Sequence, residues 1–210
     1  MRRPNAATHQ ELSPMLNDEE RDADKEAPRK LGALEERLFK ARTILIYGGI
    51  DQKVAEAVTA KLIALDLESN ERIRIFINSQ GGHVESGDTI YDMIKFVKSE
   101  VEIVGTGWVA SAGALIYAAA KPENRVSLQN TRFLLHQPSG GAGGTASDIA
   151  IHAREIVRMR ERLNEIFARE TGQPVERIQL DTERDYWMSA QEAKDYGLVG
   201  RIVTSAAELD

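Results

Sequence analysis

Ser111 stands in Trp108-Val109-Ala110-Ser111-Ala112-Gly113, a short turn that opens onto the apolar run Ala114–Ala120. A hydroxyl flanked by alanines and a glycine, at the first turn of a buried helix, has room around it. It also lies beside free backbone N–H groups at the positive end of a helix dipole. A nucleophile attacking a carbonyl needs that setting, because negative charge develops on an oxygen close by. The same turn can be a plain helix start, since serine is a favoured N-cap residue. It also lacks the elbow pattern G-x-S-x-G, with Val109 where the first glycine would stand. Chemistry at Ser111 therefore requires a base to take its proton and a third group to orient the base.

The bases on offer are His9, His83, His136 and His152. His136 ends the run Thr131-Arg-Phe-Leu-Leu-His136, which reads as a strand, and site residues gather at the carboxyl ends of strands in alternating α/β chains. Its other reading is a half-buried structural histidine. Gly81-Gly82 follows the strand-like Ile75-Phe-Ile-Asn78, and the pair permits either a close backbone approach to a ligand or simply a tight turn. His83 comes directly after it and reads as a cleft residue or a polar rim. Asp181-Thr-Glu-Arg-Asp185 is a dense polar cluster that runs into Tyr186-Trp187-Met188, so part of it is covered rather than solvated. His152 reads as surface or interface, and Trp108 and Trp187 as packing. No H-E-x-x-H or other metal spacing occurs, so no metal is expected.

These pieces need a scaffold, and composition bounds it. The 210 residues allow one domain with a real core, and a net charge of −6 argues against a nucleic-acid surface. With no cysteine, thiolate catalysis, disulfides and Cys-ligated zinc are excluded together. No apolar run approaches the roughly 18 residues that span a membrane, and no signal peptide is read behind Met1-Arg-Arg-Pro, so the expected compartment is the cytoplasm. Residues 1–30 carry thirteen charged side chains and no aromatic. They are expected to be a mobile polar segment or propeptide ahead of a single domain over 31–210.

From residue 31 onward strand and helix patterns alternate. Leu31–Lys40 reads as an amphipathic helix, Thr43–Tyr47 as a buried strand, and Asp51–Glu68 as a helix behind an Asp51 cap. Arg72–Asn78, Val101–Thr106, Arg125–Leu128 and Thr131–His136 read as strands, and Glu85–Lys98 as a helix. Ala112–Ala120, apolar all round, reads as a buried helix. Ala146–Glu170 reads as a long helix stopped by Gly172 with Pro174 beyond. A last strand falls near Leu198–Val203. Such alternation predicts an α/β fold with a parallel-rich sheet.

Over about residues 40–203 the chain resembles the ClpP family, the proteolytic subunits of ATP-dependent Clp proteases. The resemblance rests on Ile77-Asn-Ser-Gln-Gly-Gly82, Tyr91-Asp92, Ala110-Ser-Ala-Gly113, His136-Gln-Pro138, Ala153-Arg-Glu155, Thr171-Gly-Gln-Pro174, Asp181-Thr-Glu-Arg-Asp185 and Glu192-Ala-Lys-Asp-Tyr-Gly-Leu198, in that order. His136 lies 25 residues after Ser111 and Asp185 49 after His136, which suits the family's triad without adjustment. The resemblance implies a crotonase-like spiral of strand–helix units with a protruding handle. It also implies a serine endopeptidase, with Ser111 as nucleophile, His136 as general base and Asp185, rather than Asp181, as its orienting carboxylate. The backbone N–H groups of Gly82 and Ala112 match the oxyanion hole. Gly140, Gly141, Gly143 and Gly144 fall in the handle strand that holds substrate, and Glu183 and Arg184 in the ion-pairing positions that couple ring contact to the triad. Phe76 and Phe96 match the docking pocket of an AAA+ unfoldase of the ClpX, ClpA or ClpC type. The implied assembly is two stacked heptameric rings, a tetradecamer that admits unfolded chains and short peptides. No cofactor is implied, and the chain has no G-x-x-x-x-G-K-[ST], so ATP is left to the partner.

The sequence departs from the family pattern at four places. Gln80 replaces the usual proline before the glycine pair, Trp108-Val109 is bulkier than usual, and Arg74 stands where an aromatic is common. The N-terminal gate is reduced to Pro14-Met-Leu16. Two rival readings follow. A modulatory, non-catalytic ring subunit paired with a paralogue fits Arg74 and the N-terminus. A crotonase-type CoA lyase or hydratase would use the Gly81-Gly82 turn but has no role for Ser111, His136 and Asp185 at these spacings.

Overall fold

A seven-stranded sheet forms the frame, in the order β1-β2-β3-β4-β7, with β5 joined to β3 and β6 joined to β5. The strands are β1 (Thr43–Ile50), β2 (Ile73–Gly82), β3 (Val101–Ala110), β4 (Arg125–Leu128), β5 (Arg132–Leu135), β6 (Tyr186–Ser189) and β7 (Arg201–Val203). The helices are α1 (Pro28–Lys40), α2 (Gln52–Glu68), α3 (Val84–Phe96), α4 (Ala112–Ala118), α5 (Ala146–Thr171), α6 (Val175–Asp181) and α7 (Ala190–Asp195). The structure, a computed structural model, describes residues 28–141 and 143–209. Most of the expected segment 1–30 lies outside them. Leu38–Asp210 groups as one compact unit.

All pairings are parallel except β5 with β6. β3 is shared: its first half pairs β4 through Ile103, Val104 and Gly105, and its last three residues pair β5 through Trp108, Val109 and Ala110. The sequence reading ended this strand at Thr106. Pairing with β5 carries it four residues further, so that Ser111 follows directly on a strand.

Alternation along β2 shows how the sheet is layered. Ile73, Ile75 and Ile77 point into the main core against Leu62 and Leu65 of α2 and Ile90 of α3. Phe76 faces the other side, where Val104, Val126, Val203 and Leu209 make a smaller cluster. On that side Glu102 is fully buried and is met by three arginines: Arg74 at 2.6 Å, Arg201 at 2.9 Å and Arg72 at 3.5 Å. Arg74, out of place by family expectation, is here the closest counter-charge to a carboxylate that could not be buried unpaired. Of the two phenylalanines expected to line a docking pocket, Phe76 is half-buried in the small cluster, whereas Phe96 stands 80% exposed at the end of α3.

The termini of the helices follow their sequence signals. Asp51 Oδ1 accepts from the Val54 N–H at 2.8 Å, as a cap should. Thr145 and Asp148 form a capping box at the start of α5, and Gly172 closes it in the left-handed region. Every residue of α4 is buried, as its composition predicts.

The far end of α4 is anchored by a buried ion pair. Arg125 has no exposed surface; its Nε donates to Ala120 O and its Nη2 to Ala118 O, both at 2.7 Å, and Nη2 meets Glu170 Oε2 at 2.6 Å. Burial raises the Glu170 pKa, but bonds from Tyr91 and Lys95 and the charges of Lys95 and Arg125 outweigh it and hold the carboxyl below its ordinary value. Burial and the bond to Glu170 push the Tyr91 hydroxyl up to about 12. Removing one partner of such a pair strands the other charge. Arg125→Met is expected to cost roughly 3–5 kcal/mol in chemical denaturation, and the Arg125→Met/Glu170→Gln double variant less. Because the folded Glu170 pKa is depressed, its contribution is complete above the ordinary value of 4.5 and fades as the pH falls through the lower folded value. Acid titration of the unfolding free energy checks this, and Glu170→Gln should flatten the acid limb.

Candidate active site

Three adjacent strands bring the chemistry-bearing residues together. Ser111 follows the last residue of β3, His136 follows the last residue of β5, and Asp185 precedes the first residue of β6. Because β5 runs parallel to β3 and antiparallel to β6, all three positions fall at one end of the sheet. His136 Nδ1 lies 3.2 Å from Asp185 Oδ1. The rival carboxylate is engaged elsewhere: Asp181 Oδ2 meets Arg177 Nε at 2.6 Å and accepts from the Tyr196 hydroxyl at 2.8 Å. The loop bearing Asp185 is tied to the strand bearing His136, since the Gln137 N–H donates to Thr182 O at 2.7 Å and its amide to Glu183 O at 2.8 Å.

Ser111 is not an ordinary cap. Its backbone has φ 57° and ψ −124°, and its side chain makes no capping bond. A non-glycine residue there carries strain of about 1–3 kcal/mol, persisting only where its surroundings over-determine it. The surroundings do so. The Ser111 N–H donates to Leu134 O at 3.0 Å, and Ser111 O accepts from the Ala114 N–H at 2.9 Å. From the other side the glycine turn presses in. A Cβ on Gly81 would stand 2.5 Å from Ser111 Cβ and 3.1 Å from Ala112 N, and one on Gly82 would stand 2.2 Å from Ile50 O. Both glycines have positive φ, 94° and 155°. Ser79, fully buried, props the turn by accepting from the Gly81 N–H at 3.0 Å and donating to Gly48 O at 2.6 Å. Ala112 opens α4, so its N–H has no acceptor within the helix.

The Ser111 hydroxyl has no hydrogen bond among the described residues. It shares with His136 a narrow cleft lined by Val84, Ala112, Leu115, Leu135, Pro138, Leu163 and Phe167. His136 is the one titratable side chain that lines that cleft. His83 points elsewhere: its Nδ1 lies 2.9 Å from Ser86 Oγ and its Nε2 3.1 Å from Glu85 Oε2, in a groove between α2 and α3, so it is a polar rim to the site. His152 is exposed on α5.

Two expectations fare differently. Gly140, Gly141, Gly143 and Gly144 form no strand; they carry no side chains to pack, and no strand pairs with them among the described residues. Glu183 and Arg184 are exposed, without an ion-pair partner among the described residues, and line an open groove beside His136 and Asp185. Missed by sequence reasoning are Ser79 as the prop and the apolar lining of the cleft. The Ile77-Asn-Ser-Gln-Gly-Gly82 run was a signal for the first. The second is assembled from α3, α4, β5 and α5, and no local pattern announces it. No group of three or more potential metal ligands occurs among the described residues.

A family model described as Clp protease matches residues 26–206. A Rhizobium etli protein named ATP-dependent Clp protease proteolytic subunit 3 is 63% identical over 92% of this chain and all of its own length. Subunit 2 of the same name from Pseudomonas aeruginosa is 54% identical, covering 90% of this chain and 96% of its own. Among solved structures, ClpP1 from Listeria monocytogenes aligns with a TM-score of 0.77 at 54% identity, over 84% of this chain and 99% of its own.

The contact between Gly81 and Ser111 is open to direct test. Gly81→Ala is expected to lower the rate at which a fluorophosphonate labels Ser111 by on the order of 100-fold, since a displacement of about 1 Å suffices for that. Gly32→Ala, where a Cβ meets nothing within 4 Å, should leave the rate unchanged.

Proposed function

This chain belongs to the Clp protease family, and on that premise we propose that its peptidase activity is carried by a Ser111–His136–Asp185 triad. The observation that supports the triad best is the 3.2 Å contact of His136 Nδ1 with Asp185, which leaves Nε2 as the nitrogen to serve Ser111. In the reaction His136 takes the Ser111 proton as Oγ attacks the peptide carbonyl. The N–H groups of Gly82 and Ala112 receive the oxyanion, and His136 then hands the proton to the leaving amine. Water repeats the cycle on the acyl-enzyme. Transfer requires Ser111 Oγ to come within roughly 2.6–3.2 Å of His136, a contact that tightens with substrate bound.

The apolar cleft between Val84, Leu115, Leu135, Leu163 and Phe167 takes the side chain that precedes the cut. We place the chain in an oligomeric protease chamber fed by an ATP-driven partner, with no cofactor of its own. Stacked heptameric rings, a handle strand formed by Gly140–Gly144 on assembly, and Glu183 and Arg184 pairing across rings are the finer parts of that reading. The substrates are unfolded chains and short peptides. No helix among the described residues is long and apolar enough to cross a membrane. A modulatory, non-catalytic role is disfavoured because the three triad positions converge.

Fluorophosphonate labelling followed by peptide mapping tests this. An adduct at Ser111 that disappears in His136→Ala supports the triad; turnover of a CoA thioester with no adduct would replace it with the lyase. Asp185→Asn is expected to lower kcat by about 10⁴-fold, through loss of the correct imidazole tautomer. Peptides with leucine or methionine before the cut should exceed their aspartate counterparts at least about tenfold in kcat/KM, because a carboxylate would be buried there without a partner.

A further inference from the structure

We propose that Trp108, Arg132 and Trp187 form a positioning clamp that sets the spacing of the three strands bearing the triad; the proposal rests on reading Ser111, His136 and Asp185 as that triad. β6 is four residues long and, among the described residues, is bonded on one side only, to β5. Asp185, just ahead of it, has a side chain 64% exposed, so its contact with His136 is screened by water and holds little by itself. Met188 fixes β6 from the core side, at 2% exposure. On the opposite side the Trp187 ring lies 6.4 Å from that of Trp108, with their planes 6° apart. The Arg132 guanidinium stands 4.3 Å from the Trp187 ring centre. Offset parallel rings and a cation over an indole are both favoured arrangements. Arg132 has no carboxylate partner among the described residues, so the ring is its chief contact.

Each member of the clamp sits on a different triad strand, in the same order as the triad. Trp108 is three residues before Ser111 on β3, Arg132 four before His136 on β5, and Trp187 two after Asp185 on β6. The register sets Trp108 opposite Arg132 and Trp187 opposite Leu134, so the indoles meet across β5. Both remain exposed by more than a third, 42% for Trp108 and 36% for Trp187, which is little burial for residues whose only duty is core packing. Without the stack β6 can splay from β3, and Asp185 leaves the imidazole.

The test compares Trp187→Leu, Trp187→Phe and Arg132→Gln with the parent, in the full chain, by peptide kinetics, active-site titration, assembly size and thermal midpoint. Trp187→Leu is expected to lower kcat per titrated site about ten- to 100-fold with KM within about twofold. Trp187→Phe should restore most of kcat by keeping a ring on Trp108. Arg132→Gln, which leaves both rings in place, should move kcat in the same direction by a few-fold, and it decides the matter if Trp187→Leu does not fold. Unchanged kcat in Trp187→Leu and Arg132→Gln overturns the clamp. So does a loss confined to the number of titrated sites, with the per-site rate unchanged. A parent protein that takes no adduct at Ser111 overturns the triad reading itself, and the clamp with it.

Discussion

Everything at this site depends on one strained residue. Ser111 sits at φ 57°, outside the conformation its helix would impose, and that turns its hydroxyl away from the capping role a serine would otherwise take. The strain persists because three independent groups allow no alternative: the Leu134 carbonyl that binds its N–H, the absent side chain of Gly81, and the buried helix α4 that leads away from it. Gly81 is in turn held by Ser79, and α4 by Arg125 at its far end. A chain of small contacts from β1 to α5 therefore converges on two torsion angles.

Charges are handled in two distinct ways. Where a carboxylate is structural it is buried and surrounded: Glu102 by three arginines, Glu170 by Arg125 and Lys95. Each such pair is a weak net stabiliser but costly to break, which makes it a good anchor. At the proposed triad the pattern inverts. Asp185 is open to water, and its bond to His136 is a geometric constraint more than a source of stability. An exposed carboxylate can orient an imidazole only if the backbone on both sides is held by something else; here β5 and the Gln137 bonds are at hand, with the ring stack as the proposed third support.

The alternating α/β layout, the caps of α2 and α5, and the buried α4 were legible in the sequence because each rests on local periodicity and local hydrogen bonding. The choice of Asp185 over Asp181 came from spacing by resemblance, and the 3.2 Å contact with His136 agrees with it. What sequence could not yield depends on neighbours far along the chain. β3 runs on to Ala110 because β5 lies beside it; Arg74 looks anomalous until Glu102 is seen beneath it; and the cleft lining is drawn from four elements. Gly140, Gly141, Gly143 and Gly144, which the resemblance assigns to a handle strand, pair with no strand among the described residues, because a strand exists only with a partner to bond.

Helix α5 is 26 residues long, about 39 Å at the usual rise, yet its buried residues all lie between Leu163 and Ala168. It is a cantilever, rooted in the protein at one end only. Its root includes Glu170, whose carboxylate and backbone carbonyl both grip Arg125, and Arg125 grips the carbonyls that end α4. A load applied near Thr145 would bear on the base of the short rod whose opposite tip is Ser111, so this arm and the proposed nucleophile share one unbroken line of contacts.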